Sequence, residues 1–475
     1  MSAKFWRRRV DTKSAVLRAA RPVVEALESR QLLTVVVTGE SPIVTTFSSP
    51  QGLTTFSPRD LQSVRAVVPN VPGTQVFVAG DTQTDGGRQV AVLAEYNTSD
   101  GSLVKSFGTN GMVFFSVNPA GNTFATGVQI APNKNIFICG NETATPGGLS
   151  SAFIASFLPT GKPNLGFNKI GYETFTDNVN ADYSATGLLI QPATSKINLI
   201  GNYYMRNTWT GGTTVAQFLP VGGLDKSFNS TGYFATNPGA NKDEYATGGI
   251  FNPAGGFYLS STQFTVTTTA GKKSFSSSQA DVMSIKPGGG FNTSFGNQGR
   301  FLSSWSPTLK YSFANSLTLD PRTKYLDIGG TLSNGYYNYG TNLPYGAPTT
   351  GLLPAVQSNF AAERLTTAGK YDLGFNTKGY GSYSFSANWR AGANTIHADD
   401  NGGITLSGGA GIGSGNSSQA VARLKNDGTP NTFFDTDGLF TQPITGYSAG
   451  ILADAFVPNV EITGLVLKLG ASYRS

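Results

Sequence analysis

The chain has 475 residues, only 13 % of them charged, and a formal net charge of +6. The first 34 residues carry +5 of that charge, so the rest of the chain is nearly neutral. This distribution argues against nucleic-acid binding by the body of the protein. The hydrophobic content of 39 % argues against a disordered chain.

The residue types favour strands and turns over helices. Glycine occurs 59 times, and Thr, Ser, Asn, Tyr and Phe are abundant where Lys and Glu are sparse. No run of 18 apolar residues is present, which predicts no transmembrane helix. The single cysteine, Cys139, allows no internal disulfide bond.

Residues 1–33 form a basic leader in front of the first predicted strand. The leader lacks the apolar core of 7–15 residues that a general secretory signal needs. Its segment RPVVEALESRQLL (21–33) resembles the LEPR-xLL segment near the N-terminus of many exported bacterial proteins, although Ser29 stands where that family has Pro. The matching positions are Leu27, Glu28, Arg30, Leu32 and Leu33. The resemblance implies sorting to the cell exterior, and the alternative is a disordered basic tail.

An internal repeat follows the leader. Six segments share the pattern G-x5-F-x3-G, with steps of 59 to 80 residues from one Phe to the next. The three columns are Gly101, Phe107, Gly111; Gly161, Phe167, Gly171; Gly222, Phe228, Gly232; Gly289, Phe295, Gly299; Gly369, Phe375, Gly379; and Gly428, Phe434, Gly438.

A hairpin pattern begins 18 or 19 residues after these Phe positions. It consists of an apolar run, a turn with Pro or Gly, and a second apolar run, as in ATGVQIAPNKNIFICG (125–140). We therefore predict four strands per period, which in the first full period are 112–117, 127–132, 135–140 and 151–158. On this prediction, the loop with G-x5-F-x3-G leads from one period to the next.

Four short antiparallel strands per period of about 60 residues predict one blade of a β-propeller. Phe47 lies 60 residues before Phe107 and adds a seventh, degenerate copy, while the last period lacks its fourth strand. The apolar segment LLTVVVT (32–38) has the register of that strand and would remove a free sheet edge. The predicted fold is all-β, a single seven-bladed β-propeller over 34–475 that the N-terminal strand closes. A β-solenoid is the structural alternative.

The segment DGSLVKSFGTNG (100–111), followed by a hairpin with a central Pro, resembles the delta-60 repeat. That repeat occurs in bacterial secreted and surface proteins and is expected to form propellers. The resemblance covers residues 40–475 and is closest in 95–140. It implies a fold and an exported location, and it supplies no catalytic residues.

Two periods are longer than the others, and both additions lie between predicted strands three and four. The first, 262–280, is rich in Thr and Ser, and the second, 331–358, contains Tyr336, Tyr337, Tyr339 and Tyr345 among Asn and Gly. Tyr among Asn and Gly residues is typical of binding loops, because Tyr gives a large contact area at low entropic cost. These four tyrosines are the candidate ligand-binding residues. The alternative is a loop that packs on its own blade.

Residues that carry catalytic chemistry are scarce. His397 is the only histidine and reads as a strand residue, so neither a Ser-His-Asp triad nor a His-rich metal site can be assembled. Cys139 lies in an apolar strand and reads as a buried small residue. Asp435 and Asp437 could serve a structural Ca²⁺, although turn chemistry also explains them. We expect no cofactor and no catalytic residue.

The sequence thus favours an exported, cell-surface or extracellular protein that binds, adheres or scaffolds without catalysis. The expected partner is an extracellular glycan or protein, and the expected state is a monomer without nucleic acid. The alternative is a propeller enzyme, a hydrolase or lyase acting on extracellular polysaccharide, which would need carboxylates converging in one cleft.

Overall fold

The fold is described from a computed structural model. The structure describes residues 63–443 except 71–72, 146, 178–179, 209, 270–271, 336–356, 387–388 and 413–415, and it also describes 455–457 and 460–462. In this part of the chain every regular element is a β-strand and no helix occurs. Accordingly, the described residues contain no helix of the length and apolarity needed to cross a membrane.

The first three sheets follow one another along the chain. Sheet 1 contains β1 (Ser63–Pro69), β2 (Gln75–Gln83), β3 (Gln89–Asn97) and β4 (Met112–Phe115). Sheet 2 contains β5 (Asn122–Ile130), β6 (Ile136–Thr143), β7 (Ser150–Phe157) and β8 (Tyr172–Phe175). Sheet 3 contains β9 (Ala181–Ile190), β10 (Ile197–Met205), β11 (Thr210–Phe218) and β12 (Tyr233–Ala235).

Three further sheets and a short hairpin complete the described chain. Sheet 4 contains β13 (Lys242–Phe251), β14 (Phe257–Thr269), β15 (Lys272–Ile285) and β16 (Arg300–Ser303). Sheet 5 contains β17 (Tyr311–Leu319), β18 (Leu326–Ser333), β19 (Ser358–Leu365) and β20 (Tyr380–Tyr383). Sheet 6 contains β21 (Arg390–Ala398), β22 (Ile404–Ile412), β23 (Asn416–Leu424) and β24 (Leu439–Pro443), and the hairpin contains β25 (Ala455–Val457) and β26 (Val460–Ile462).

Within each sheet the four strands pair antiparallel in chain order. Sheets 4 to 6 are also joined edge to edge by two single parallel pairs, Ser278 with Tyr311 and Ser358 with Arg390. Antiparallel order places two kinds of connection at each end of a sheet. We call the end with the first-to-second and third-to-fourth connections the turn end. The opposite end, with the second-to-third connections and the crossings between sheets, is the loop end.

The hydrophobic core lies between consecutive sheets. Phe137 and Ile154 of sheet 2, for example, belong to one buried cluster with Leu199 and Phe218 of sheet 3. Similar clusters join sheets 1 and 2, 3 and 4, 4 and 5, and 5 and 6. The middle strands are covered on both faces, which explains why they read as nearly continuous apolar runs. Four-stranded antiparallel sheets that pack face to face in succession fit the blades of a β-propeller.

The predicted grouping of strands into blades was wrong by one strand. The segment predicted as strand one, 112–117, forms β4, which pairs with β3 as the outermost strand of the preceding sheet. The G-x5-F-x3-G segment therefore connects the third and fourth strands of one sheet and does not lead to the next period. The reason is that its last Gly is hydrogen-bonded to the third strand, as at Glu95 N–H to the Gly111 carbonyl, which turns the chain back onto the same sheet.

Both long additions lie between the second and third strands of their sheets, at the loop end. The first, predicted over 262–280, is a strand extension, because β14 and β15 pair from Phe257–Ile285 to Thr269–Lys272 with one register shift between Thr265 and Val266. Phe264, Val266 and Phe275 of this extension belong to a buried hydrophobic cluster, and β-branched and aromatic side chains of this kind favour strands. The second addition, predicted over 331–358, covers the end of β18, the connection to β19 and the first residue of β19. Its residues 336–356 lie outside the described part.

The predicted closing strand over 32–38 and the degenerate copy at Phe47 lie outside the described residues, as does the leader 1–33. At the other end of the chain, β25 lies beside β1, with Cα atoms of the two strands within 8 Å of each other. The first strands of consecutive sheets, which we call their innermost strands, are adjacent in the same way, as β5 and β9 are.

Candidate functional site

The repeated Phe residues anchor the turn end. All six are buried, with exposures between 0 and 3 %. Five of the rings contact other aromatic side chains, as Phe107 contacts Phe77 and Phe167 contacts Phe137, both at centroid distances of 5.5 Å. A buried Phe in each turn therefore attaches the third-to-fourth connection of each sheet to the core.

The last Gly of each repeat closes that turn. Its φ angle lies between +83° and +95° in all six copies, a conformation that suits glycine. Its N–H donates to the carbonyl of the repeat Phe, and its own carbonyl accepts from the third strand. The six residues are Gly111, Gly171, Gly232, Gly299, Gly379 and Gly438.

The first Gly of each repeat lies where two sheets meet. The N–H of the residue after the repeat Phe donates to a carbonyl in the corresponding turn of the next sheet, one residue before its first Gly. These hydrogen bonds run from Gly108 to Thr160, Asn168 to Val221, Asn229 to Gly288, Gly296 to Ala368 and Asn376 to Asp427, at 2.7–2.9 Å. A Cβ added at Gly289 would lie 2.7 Å from the Asn229 Cβ, so the approach requires glycine.

A second set of bonds joins the sheets near their innermost strands. The first strands of sheets 2 to 6 have a register shift just after an Ala. In three of these sheets the residue that follows this Ala donates a side-chain hydrogen bond to the carbonyl of the equivalent Ala in the following sheet. The bonds are Thr126 Oγ1 to Ala185 at 2.8 Å, Thr247 Oγ1 to Ala314 at 2.8 Å and Asn315 Nδ2 to Ala393 at 2.7 Å.

The predicted binding and sorting residues all lie outside the described part of the chain. Tyr336, Tyr337, Tyr339 and Tyr345 lie outside the described residues, as do Leu27, Glu28, Arg30, Leu32 and Leu33. The ends of the Tyr-containing segment are held at the loop end, where the Gln357 N–H donates to Asn334 Oδ1 at 2.9 Å. Asn334 and Gln357 belong to the second-to-third connection of sheet 5, and the extended hairpin is the same connection in sheet 4.

Sheet 4 contains a buried cluster of charges. Glu244 and Asp281 have no exposed surface, and one terminal nitrogen of Arg300, Nη2, donates to both carboxylates. Thr236 and Ser261 hydroxyls donate to Glu244 and Asp281 at 2.7 and 2.8 Å. Burial raises the pKa of Asp281 to about 6, Arg300 opposes the rise, and Glu244 adds to it. A guanidinium held by two carboxylates is fixed in position.

A third unusual carboxylate, Glu363, lies in the third strand of sheet 5. It is fully buried, and burial raises its pKa to about 7. The nearby Ser303 hydroxyl and Trp305 indole oppose this rise, but neither forms a hydrogen bond of good geometry with the carboxylate. A carboxyl group of this pKa is protonated over much of the neutral range, which would suit a general acid if a substrate could reach it.

A cavity of about 490 Å³ runs along the outer edge of sheet 4 to the turns of sheets 4 and 5. Its lining has two basic residues, two amides and no carboxylate. The lining residues are Gln263, Gly296, Asn297, Arg300, Phe301, Leu302, Gly369 and Lys370. The buried carboxylates Glu244 and Asp281 lie behind Arg300. The described residues therefore show no pair of carboxylates converging in this cavity.

Sequence reasoning missed these charged positions, although the repeat contains a signal for them. Aligned on the third-strand residue that forms the isolated bridge to the turn, Leu365 in sheet 5, Glu363 stands where the other sheets have Ala or Met. Aligned on the first strand, Glu244 stands where the others have Thr, Tyr, Ser or Ala. The error in grouping the strands obscured both departures. The buried amide of Gln263 has no comparable signal.

The remaining candidates have structural surroundings. Cys139 is fully buried, as predicted, and burial raises the pKa of its thiol to about 12. His397 lies in β21, where burial and Arg423 lower its pKa to about 4. Asp437 Oδ1 accepts from the Leu439 N–H at 2.9 Å within its turn. The described residues contain no group of three or more His, Cys, Asp or Glu side chains placed to hold a metal ion.

Comparisons with known proteins concern the fold. No protein-family model matches the chain, and no curated protein sequence matches it. The β-propeller domain of the trilobed protease from Pyrococcus furiosus is similar at 9 % identity, with 82 % of this chain and 85 % of that chain covered and a TM-score of 0.35. A thermostable family-43 glycoside hydrolase is similar at 10 % identity, with 76 % and 98 % covered and a TM-score of 0.32. A glucose dehydrogenase is similar at 11 % identity, with 59 % and 84 % covered and a TM-score of 0.33. The six sheets themselves define an all-β protein built from propeller-type blades.

Proposed function

We propose that this protein is an exported, non-catalytic β-propeller that binds an extracellular glycan or protein through its loop end. One observation carries the proposal. Both additions to the repeat leave the loop end of adjacent sheets 4 and 5, whereas the turn end keeps the same Gly and Phe positions in all six sheets. Binding residues concentrate on variable connections that a rigid scaffold positions.

The proposed ring has seven blades. β25 and β26 would be the first two strands of the seventh, and the position of β25 beside β1 supports this. In the register of the other sheets, Val37 corresponds to the last residue of a third strand and 52–55 to a fourth strand. We therefore propose that each terminus supplies two strands. This replaces the closure by one N-terminal strand expected from the sequence.

We propose that the leader 1–33 directs export, because it resembles LEPR-xLL segments. We also propose that the repeat domain acts outside the cell, because it resembles delta-60 repeats. N-terminal sequencing of the secreted protein tests the leader. We further propose that the protein acts as a monomer without nucleic acid. A steep salt dependence of DNA binding by the full chain would contradict this.

A binding array tests the proposed function directly. The full chain is applied to glycan and protein arrays beside the variant Tyr336→Ala/Tyr337→Ala/Tyr339→Ala. A matched control, Leu165→Ala/Leu373→Ala/Phe433→Ala, removes side chains that are 65–80 % exposed at the turn end. We expect the Tyr variant to lose at least about tenfold in affinity and the control to bind like the wild type. Equal binding by all three proteins would exclude the Tyr segment.

A hydrolase or lyase is the second candidate, and the raised pKa values of Glu363 and Asp281 favour it. The full burial of both carboxylates supports the binding role instead, because a polymer cannot reach them as they are placed. Polysaccharide cleavage by the wild type that Glu363→Gln abolishes would establish the enzyme.

A further inference from the structure

Exposed apolar side chains are concentrated at the turn end of sheets 2 and 3. Among the described residues, ten large hydrophobic side chains are exposed, and seven of them lie in third-to-fourth connections at the turn end. Five of the seven belong to two consecutive connections, those of sheets 2 and 3. They are Leu158, Leu165, Ile170, Leu219 and Val221, with exposures from 37 to 65 %. Single exposed apolar residues are common on protein surfaces, but a group in one place indicates an interaction surface.

The two connections form one surface. The Asn168 N–H donates to the Val221 carbonyl at 2.8 Å, and a Cβ added at Gly222 would lie 2.9 Å from the Asn168 Cβ. Asn168 stands between Leu165 and Ile170 in its turn, so the exposed apolar side chains of sheet 2 lie beside those of sheet 3.

Lysines accompany these apolar side chains, and the nearby acidic groups are already engaged. Asp225 is buried and pairs with Lys196 at 2.6 Å, and Glu173 of β8 accepts from the Gly223 N–H at 2.7 Å. Four further lysines at the turn end of sheets 2 and 3 are exposed: Lys134, Lys162, Lys169 and Lys226. The exposed charge of this surface is therefore positive. We call the five apolar side chains and these four lysines the turn-end patch.

Apolar and basic side chains alternate at one position of the repeated turn. The residue two positions before the repeat Phe is Lys105 in sheet 1, Leu165 in sheet 2, Lys226 in sheet 3 and Leu373 in sheet 5. The turns share their backbone hydrogen bonds, so these side chains leave the turn in equivalent places. The patch thus presents apolar and basic groups on the same side of the sheets.

We propose that the turn-end patch docks the protein on an anionic lipid membrane surface. Apolar side chains enter the boundary between headgroups and acyl chains, while lysines keep their charge at the level of the anionic headgroups. The loop end would then face away from the membrane and stay accessible to its own partner. This docking goes beyond the function proposed for the loop end and does not depend on it.

Other occupants of the patch fit it less well. A second copy of the chain would bring the lysines of the two copies together, because a twofold interface pairs the same surface with itself. A nucleic acid would be expected to stack on aromatic rings, and all five apolar side chains of the patch are aliphatic. An acidic polysaccharide would use the lysines but not five exposed aliphatic side chains.

Sedimentation of the full chain with lipid vesicles tests the docking. The vesicles contain phosphatidylcholine alone or phosphatidylcholine mixed with an equal amount of phosphatidylglycerol. The apolar variant, Leu165→Ala/Ile170→Ala/Val221→Ala, removes the most exposed apolar side chains of the patch. The charge variant, Lys162→Gln/Lys169→Gln/Lys226→Gln, removes lysines beside them.

A matched control removes exposed apolar side chains elsewhere. Phe114→Ala/Leu149→Ala/Leu302→Ala changes three side chains that are 36–49 % exposed, two on fourth strands and one at the loop end. Every protein in the series contains the basic leader 1–33, so the contribution of the leader to vesicle binding is the same in each.

We expect the wild type to bind the mixed vesicles at least about tenfold more tightly than phosphatidylcholine alone. The apolar variant and the charge variant should each lose at least about tenfold in affinity for the mixed vesicles. The control should bind like the wild type, and added salt should weaken wild-type binding. All melting temperatures should match the wild type, because every changed side chain is exposed. The charge variant keeps the test decisive if the apolar variant unfolds.

Three results would overturn the proposal. The first is the absence of vesicle binding by the wild type, and the second is equal binding by the wild type and the folded apolar variant. The third is displacement of the vesicles by soluble polygalacturonate that the apolar variant still binds, which would assign the lysines to an acidic polysaccharide. The arrays contain no lipid, so array binding and vesicle binding can each fail without the other.

Discussion

The turn end and the interior of sheets 4 and 5 follow different rules within one fold. At the turn end, all six sheets place a buried Phe and two glycines with positive φ angles at the same positions. In sheets 4 and 5, Glu244, Asp281 and Glu363 occupy buried strand positions that are uncharged in the other sheets, and both additions to the repeat leave the same pair of sheets.

This comparison separates the residues that build every sheet from the residues that make sheets 4 and 5 differ from the others. The turns that the repeat builds form five hydrogen bonds from one sheet to the next, and its last Gly closes each turn in the same way, so the repeat serves the same structural purpose in each described sheet. A buried carboxylate costs free energy unless it is paired or protonated, so it persists only where something offsets that cost. The departures from the repeat are therefore the better guide to individual function.

The largest expected effect tests the framework at sheet 6. Phe434 is 3 % exposed, whereas its neighbour Phe433 in the same turn is 80 % exposed. Phe434→Ala should reduce the free energy of unfolding by about 3–5 kcal/mol, and Phe433→Ala by less than about 0.5 kcal/mol. Urea denaturation of both variants measures the difference. Similar losses would show that the repeat Phe is not a specific anchor.

The framework was largely predictable from the sequence, and the charged interior was not. Three columns repeated six times, with hairpins at a fixed distance, predicted four-stranded antiparallel sheets. The grouping of strands failed because the pattern shows the order of strands but not which turn stays within a sheet. That choice depends on the bond between the Gly111 carbonyl and the third strand, which spans the turn. The cavity was unpredictable because Gln263, Arg300 and Lys370 meet only through packing.

The charged interior is expected to make stability depend on pH. The pKa of Glu363 is raised in the folded state from 4.5 to about 7, so folding favours its protonated form. Its stabilising contribution is complete below about pH 4.5 and is lost as the pH rises through 7. Glu363→Gln stays neutral, so at pH 8 it should be more stable than the wild type by about 3 kcal/mol. Denaturation midpoints of both proteins from pH 4.5 to 8 measure this, and parallel curves would refute the assignment.

A pair of adjacent glycines separates close approach from backbone conformation. Gly289 and Gly290 have φ angles of +90° and +75°, but only at Gly289 would a Cβ meet the turn of the preceding sheet, at 2.7 Å from the Asn229 Cβ. Gly290→Ala should cost about 1 kcal/mol for its conformation. Gly289→Ala should cost about 2–3 kcal/mol, because the two sheets must also move apart. Equal losses in thermal unfolding would remove the contact between sheets from the argument.

The smallest expected effect concerns the bonds near the innermost strands. Thr126 and Thr186 share a column, but the Thr126 hydroxyl donates to Ala185 of the next sheet at 2.8 Å, whereas that of Thr186 donates within its own sheet at 3.4 Å. Thr126→Val should therefore cost about 1 kcal/mol, and Thr186→Val less. Amide hydrogen exchange can locate the loss, because a bond between sheets should weaken protection in sheets 2 and 3 together. Loss confined to sheet 2 would mean that this hydroxyl does not couple the two sheets, and that the repeated Thr serves only its own strand.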